Sequence, residues 1–238
     1  MPSFRTTLIV LTLFCSVSLA QDSRAVSILK HAQEAAGGVD ALSAIRDQII
    51  SRSIHSVGGG ISGQQVVKII LPSALRQESA LPFGMVTFSL VDGKGKMVSP
   101  QGSIQLSGPQ LLQAQGELFR VRERLLLADR FPELKLVYLD SVDEDSRPAD
   151  VLNVTDSESG QSVQLWIDQA TGELFKTIYD GVALVGAQQL EEHYSDFRPV
   201  NGVQTPFAIA VRTGDLLLTE IQIEKVLHNT GLTKAELR

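Results

Sequence analysis

The stretch HYSDFRPVNGVQTPF, from His193 to Phe207, holds a histidine, a serine, an aspartate and an arginine within its first six residues. Those side chains are the makings of nucleophilic hydrolysis, in which a histidine takes a proton from a serine and is itself oriented by a carboxylate. Spacing argues against it. The interleaved Tyr, Phe and Val residues read as a strand, and along a strand successive side chains alternate between faces. His193, Ser195 and Phe197 then share one face, and Tyr194, Asp196 and Arg198 the other. His193 and Asp196 cannot pair unless the strand breaks. Pro199-Val200-Asn201-Gly202 supplies turn chemistry, and a second strand begins at Val203. The segment reads as a corner of a sheet, with Asp196 and Arg198 as a surface ion pair worth little energy.

Other chemical templates also fail. His31, His55, His193 and His228 are scattered, without the i, i+4 pair of a zinc helix. There is no G-x-S-x-G elbow. The glycines at 58–60 and 63 are not followed by the Gly-Lys-Ser/Thr of a phosphate loop. Glu78 and Glu220 are lone carboxylates that need a spatial partner to work as acid and base; solvated surface is the plainer reading. Asn153-Val-Thr matches a glycosylation pattern but falls in an expected strand. No catalytic residue, metal-ligand set or cofactor follows from these residues.

Composition narrows the class. Residues 1–20 have the anatomy of a secretory signal peptide: Arg5, an apolar core from Leu8 to Val17, then Ser18 and Ala20 before a cleavage site. That core is shorter than the roughly 20 apolar residues of a spanning helix. Cys15 also raises a lipid-modified cysteine, but Phe14 stands where that signal wants a small residue. The chain after Ala20, residues 21–238, has no cysteine, and it is expected to fold as one domain held by its core rather than by disulfides. Lys and Arg total 21 against 27 Asp and Glu, a net charge of −6 that deepens by one when Arg5 leaves. An acidic chain without a basic stripe argues against nucleic acid and against an electrostatic membrane anchor. Direct membrane insertion is not expected.

Those residues must be positioned by elements of two periods. Val26 to Ala36 has helical spacing and ends at Gly37-Gly38, and a short helix from Asp40 to Ile45 follows. From residue 47 the period becomes two, with strands over Ile49–Val57, Gln65–Leu71, Ala74–Ala80 and Met85–Val91 and one more after Asp92–Lys96. The doublets Leu111/Leu112, Leu118/Phe119 and Leu125/Leu126 recur every seven residues, which predicts one amphipathic helix ended by Pro132. Seven further strands run from Lys135 to Val226. About 10–12 strands with hairpin-length links give an antiparallel sheet too long to stay flat. The expected class is α+β, mainly β: an incomplete barrel with helices covering its concave side.

Several strands have one strongly apolar face that must be covered. Val67, Ile69 and Leu71 form one such face, Val86, Phe88 and Leu90 a second, and Phe207, Ile209 and Val211 a third. The helix contributes Leu111, Leu118 and Phe119. These twelve are the candidate ligand-lining residues, provided the interior is not filled solid. With one Trp, three Tyr and nine Phe in the chain, an aliphatic lining suits flexible acyl chains better than flat rings.

The order of a signal peptide, a helix, strands, P-x-x-x-R at Pro72–Arg76, VDGK at Val91–Lys94, an amphipathic helix, LWIDQATGELFK at Leu165–Lys176 and YSDFRPVNGVQTPF at Tyr194–Phe207 resembles the LolA/LolB superfamily of periplasmic lipoprotein carriers and lipoprotein-sorting relatives. The resemblance implies an incomplete antiparallel barrel, a helical lid and a hydrophobic cavity for lipid or lipoprotein acyl chains, in the periplasm, without catalysis. In the carriers an arginine directly before the post-strand proline hydrogen-bonds the lid; here that position is Leu71. Met97 stands where carriers often place an aromatic residue. A second expectation is a protein-interaction or envelope-sensing module of the same fold with a filled interior, binding an envelope protein. A third, weaker one is a hydrolase with His193 as its best candidate.

Overall fold

The computed structural model describes residues 22–183 and 186–238. The expected leader and its cleavage after Ala20 lie outside the described residues.

Asp22 caps the first helix, α1 (Ser23–Ala35), by accepting from the amides of Arg24 and Ala25. Its second carboxylate oxygen accepts from the amide of Tyr138 at 3.0 Å, which ties the helix start to a strand far along the chain. Ala25, Leu29, Ala32 and Gln33 form its buried stripe. Gly37 and Gly38 then turn the chain with φ of 114° and 93°, a region that favours glycine. A Cβ on Gly37 would stand 2.0 Å from the carbonyl oxygen of Gly202. Helix α2 (Val39–Ser43) follows.

The strands are β1 (Asp47–Ser56), β2 (Ile61–Ile70), β3 (Ala74–Leu81), β4 (Gly84–Val91), β5 (Lys94–Ser99), β6 (Gly102–Gln105), β7 (Leu134–Glu144), β8 (Arg147–Asp156), β9 (Ser162–Asp168), β10 (Leu174–Ala183), β11 (Gly186–Val200), β12 (Val203–Thr213) and β13 (Leu216–His228). They make one 13-stranded antiparallel sheet in the order β6-β5-β4-β3-β2-β1-β13-β12-β11-β10-β9-β8-β7, open between β6 and β7. The chain starts at the centre, meanders out to β6, crosses by helices to the far edge at β7, and meanders back until β13 pairs with β1. Thirteen strands replace the expected 10–12; β6, short and exposed, gave no strand signal.

The long helix expected around Leu111–Leu126 is broken. Helix α3 (Gly108–Phe119) ends at Arg120, Val121 leaves helical geometry with ψ of 122°, and α4 (Arg122–Leu126) begins after it. Two cores pull the segment apart. Leu118 and Val121 pack with Val67, Ile69, Leu75 and Leu90. Leu125 and Leu126, fully buried, pack with α1 and the inner residues of β7–β10. One straight helix cannot reach both.

That second cluster fills half of the sheet's covered face. Leu29, Leu42, Leu136, Leu152, Leu165 and Leu174 are closed off completely or nearly so. The tail after β13 crosses to the opposite face, where Leu237 packs on Ala74 and Val91. No described helix is long and apolar enough to cross a membrane.

A candidate ligand cavity beneath helix α3

The other half of the covered face is not filled. A cavity of about 640 Å³ lies between α3 and the inner faces of β1–β5 and β10–β13, within the roughly 300–1,000 Å³ of small-molecule sites. Its floor is built by alternation. Gln48, Ile50, Arg52 and Ile54 of β1 point into it, matched across β2 by Val67 and Ile69 and across β3 by Leu75 and Gln77. Phe88 and Met97 extend this wall, and Ile209, Val211, Ile221 and Ile223 close the opposite side. The roof is Gln110, Gln113, Ala114 and Glu117 of α3, with the 120–123 break at one end.

Polar groups at this end are organised. The Arg120 guanidinium lies 3.8 Å from the centre of the Tyr179 ring and donates to Glu117 at 3.1 Å. Glu192 accepts from Tyr179 Oη at 2.8 Å and from Tyr194 Oη at 2.9 Å. Tyr194 Oη also meets Thr177 Oγ1 at 2.9 Å. Burial, reinforced by the Glu192 charge, pushes both phenols well above their ordinary range. Glu123 accepts from Gln48 at 3.2 Å. Buried Arg122 donates to the Gln204 carbonyl at 2.9 Å, while its Nε has no partner. Arg52 donates to Gln65 at 2.9 Å and to Gln77 at 3.1 Å, both neutral amides. Burial holds the Arg52 guanidinium below its ordinary value, with Glu117 and Glu192 opposing more distantly.

Of the twelve candidate lining residues, Val67, Ile69, Phe88, Ile209 and Val211 line this cavity. The others lie elsewhere. Leu71 packs against both cores, and Leu90, Leu111 and Leu118 belong to the cluster under the roof. Phe119 turns into the filled half, and Phe207 joins Ile223 and Val226 in a separate cluster with Arg198 stacked 4.5 Å over its ring. Val86 is half-buried farther along β4, off the cavity. Sequence reading passed over Ile50, Arg52, Ile54 and Glu192, and it placed Tyr194 and Ile221 on strand faces without assigning them to a cavity. The alternation Ile50-x-Arg52-x-Ile54 was a usable signal, since it sets one cation on an apolar face.

At Leu71 there is no polar latch. The roof is tied instead by Gln161, whose Nε2 donates to the Leu112 carbonyl at 2.7 Å.

The His193 segment does form the sheet corner, with Asn201 and Gly202 both at positive φ between β11 and β12. It also contains one residue of irregular backbone. Asp196 has φ of 54° and drops out of the ladder together with Phe207, while the register is the same at Ser195–Ala208 and Phe197–Pro206. The ladder is thus interrupted at one position without a shift of register. Even so, Asp196 holds Arg198 at 2.6 Å on the surface, and His193 turns to Glu191 at 2.9 Å. Glu191 in turn lies 4.0 Å from buried Lys176, which pairs with Glu144 and stacks 3.6 Å over the Trp166 ring. Glu78 is occupied by Arg76 and Lys68, and the Asn153 amide donates to Thr155. Among the described residues no three His, Cys, Asp or Glu side chains gather as a metal site.

No protein-family model matches the chain, and no curated protein matches it by sequence. Solved structures do share its fold. A LolA superfamily protein from Nitrosomonas europaea superposes with a TM-score of 0.60 at 15% identity, over 90% of this chain and 97% of that one. A domain assigned to outer membrane lipoprotein sorting from Vibrio parahaemolyticus gives 0.58 at 13% identity, and a DUF1329 family protein from Desulfovibrio piger 0.58 at 12%, each with the same coverage of 90% and 97%. The chain has a LolA-like fold.

Proposed function

We propose that this chain is a non-catalytic carrier or chaperone of the cell envelope that shelters a lipid or lipoprotein acyl chain beneath helix α3. The supporting observation is the cavity of about 640 Å³ on an otherwise well-packed sheet, walled by Ile50, Val67, Ile69, Phe88, Ile209 and Ile221. Each buried methylene contributes about 0.8 kcal/mol, so a chain of a dozen or more carbons supplies the affinity without any specific polar contact. The expected leader would place the protein in the periplasm, and the lipoprotein-sorting name of a fold neighbour accords with that compartment. Release would follow from movement of α3 or from contact with an acceptor membrane. An interaction module with a filled interior fits less well, because it leaves this void without a use. The hydrolase reading is not favoured, since His193 turns to Glu191 and Asp196 holds Arg198.

The test is mass spectrometry of the purified protein under native conditions, with organic extraction of anything bound, beside titration with a fluorescent acyl probe. Bound lipid, and probe fluorescence displaced by long-chain fatty acids, are expected. A lipid-free protein that leaves the probe dark would overturn the proposal.

A further inference from the structure

An aliphatic cavity needs no cation in its floor, yet Arg52 is there, between Ile50 and Ile54 on β1 and opposite Ile223 on β13. The position is built. β13 carries an extra residue where Ser51 gives way to Arg52, and Gln65 and Gln77 each turn a side-chain oxygen to the guanidinium. Gln65 and Gln77 are themselves held by Ser79, at 3.1 and 3.3 Å. What Arg52 lacks is a counter-charge: among the described residues no carboxylate comes within 4.0 Å of it. The carboxylates that share the cavity are engaged otherwise, Glu117 by Arg120, Glu192 by two tyrosines and Glu123 by Gln48. A half-buried guanidinium with only neutral partners forgoes its strongest hydrogen bonds, and it gains them when an anion completes its fork.

We infer that the cavity takes a single-chain amphiphile with an anionic head, a carboxylate or a phosphate monoester, whose head meets the Arg52 guanidinium between Gln65 and Gln77 while its chain lies along the aliphatic wall. This rests on the acyl-chain reading above and narrows it. Gln65 and Gln77 can rotate their amide groups to donate to the same head, so the three side chains form one anion cradle on a rigid sheet. A fully apolar chain, or one with a neutral head, leaves Arg52 as it stands and gains nothing from it.

The experiment compares hexadecanoate, hexadecyl phosphate and hexadecanol at neutral pH, by displacement of an acyl probe from the whole protein and by thermal shift. The two anions are expected to bind roughly 10- to 100-fold tighter than the alcohol, the worth of a charge-assisted hydrogen bond. Arg52→Gln should bring the three together, and Arg52→Lys should restore part of the gap. Equal binding of all three by the unaltered protein overturns the inference and leaves the carrier reading standing. It is overturned too if Arg52→Gln keeps the preference, or if acetate or inorganic phosphate alone binds as tightly as the chained anions. Failure of all three amphiphiles, hexadecanol included, overturns the carrier reading with it. Because the comparison of ligands uses the unaltered protein, it decides the matter even where a variant does not fold.

Discussion

Single residues fix this fold through ties that span much of the chain. Asp47, at the start of β1, accepts from Thr230 N and Oγ1, each at 2.7 Å, and from Gly231 N at 3.1 Å. Burial alone would raise its pKa, but these hydrogen bonds outweigh it and hold the carboxyl below its ordinary 3.8. A lowered carboxylate stabilises the fold fully above the unfolded value, and that stabilisation fades as pH falls through the folded one. Asp47→Asn should therefore cost about 1–3 kcal/mol at neutral pH, with the gap to the unaltered protein closing below about pH 4 in denaturant titrations. Tyr179 and Tyr194 shift the opposite way. With both phenols raised by burial beside Glu192, stability should fall as pH climbs past 10, the value an unfolded tyrosine has. Ultraviolet titration should find that two of the chain's three tyrosines do not ionise until the alkaline unfolding transition. Ionisation of all three ahead of that transition would contradict the network. Neither tie was legible beforehand. Thr230 is 183 positions from Asp47, and one sequence holds no trace of such a partner. Arg52 was passed over as well, although a lone cation in an alternating Ile-x-Arg-x-Ile strand is a local signal.

At the scale of elements, strands and hairpins were legible because β-branched runs and Gly, Asn and Asp turns act locally. What escaped were the irregularities. The positive φ at Asp196 and the bulge opposite Arg52 have no local signature, and the break at Val121 hides inside a heptad-like run that continues across it. That break matters for the roof. Because α3 reaches the filled core only through Phe119 at its last position, its earlier turns can move without dragging Leu125 and Leu126. One side-chain tie on its early turns is Gln161 to the Leu112 carbonyl. Gln161→Ala should lower global stability by no more than about 1 kcal/mol, one exposed hydrogen bond. It should nonetheless speed release of a bound acyl probe severalfold in stopped-flow displacement, since the bond ties the roof and not the core. An unchanged release rate would mean that α3 does not gate the cavity.

Across the whole molecule, the sheet is one surface put to two uses, and even beneath α3 part of its apolar face is packed, so five of the twelve apolar candidates reach the cavity. Alternation says which side chains share a face; it does not say which stretch of that face a helix will cover. Helices α1, α2 and α4 seal the face over β7–β10, while α3 alone roofs the remainder. Substitutions should separate accordingly. Leu165 is completely buried in the sealed half, and Leu165→Ala should cost about 2–5 kcal/mol through lost burial and the hole left behind. Ile221, half-exposed to the void, has free space beside it. Ile221→Phe adds a ring to that space rather than to a packed core, so its cost should stay within about 1 kcal/mol, far below a true overpacking penalty of roughly 1–3 kcal/mol. The same ring takes volume from the ligand, and affinity for an acyl probe should fall roughly tenfold, the loss of one or two buried methylenes' worth of contact. Chemical denaturation and probe titration on the two variants make the comparison. If Ile221→Phe destabilises as much as Leu165→Ala, the space beneath α3 is as tightly filled in solution as the core beside it, and no ligand enters there.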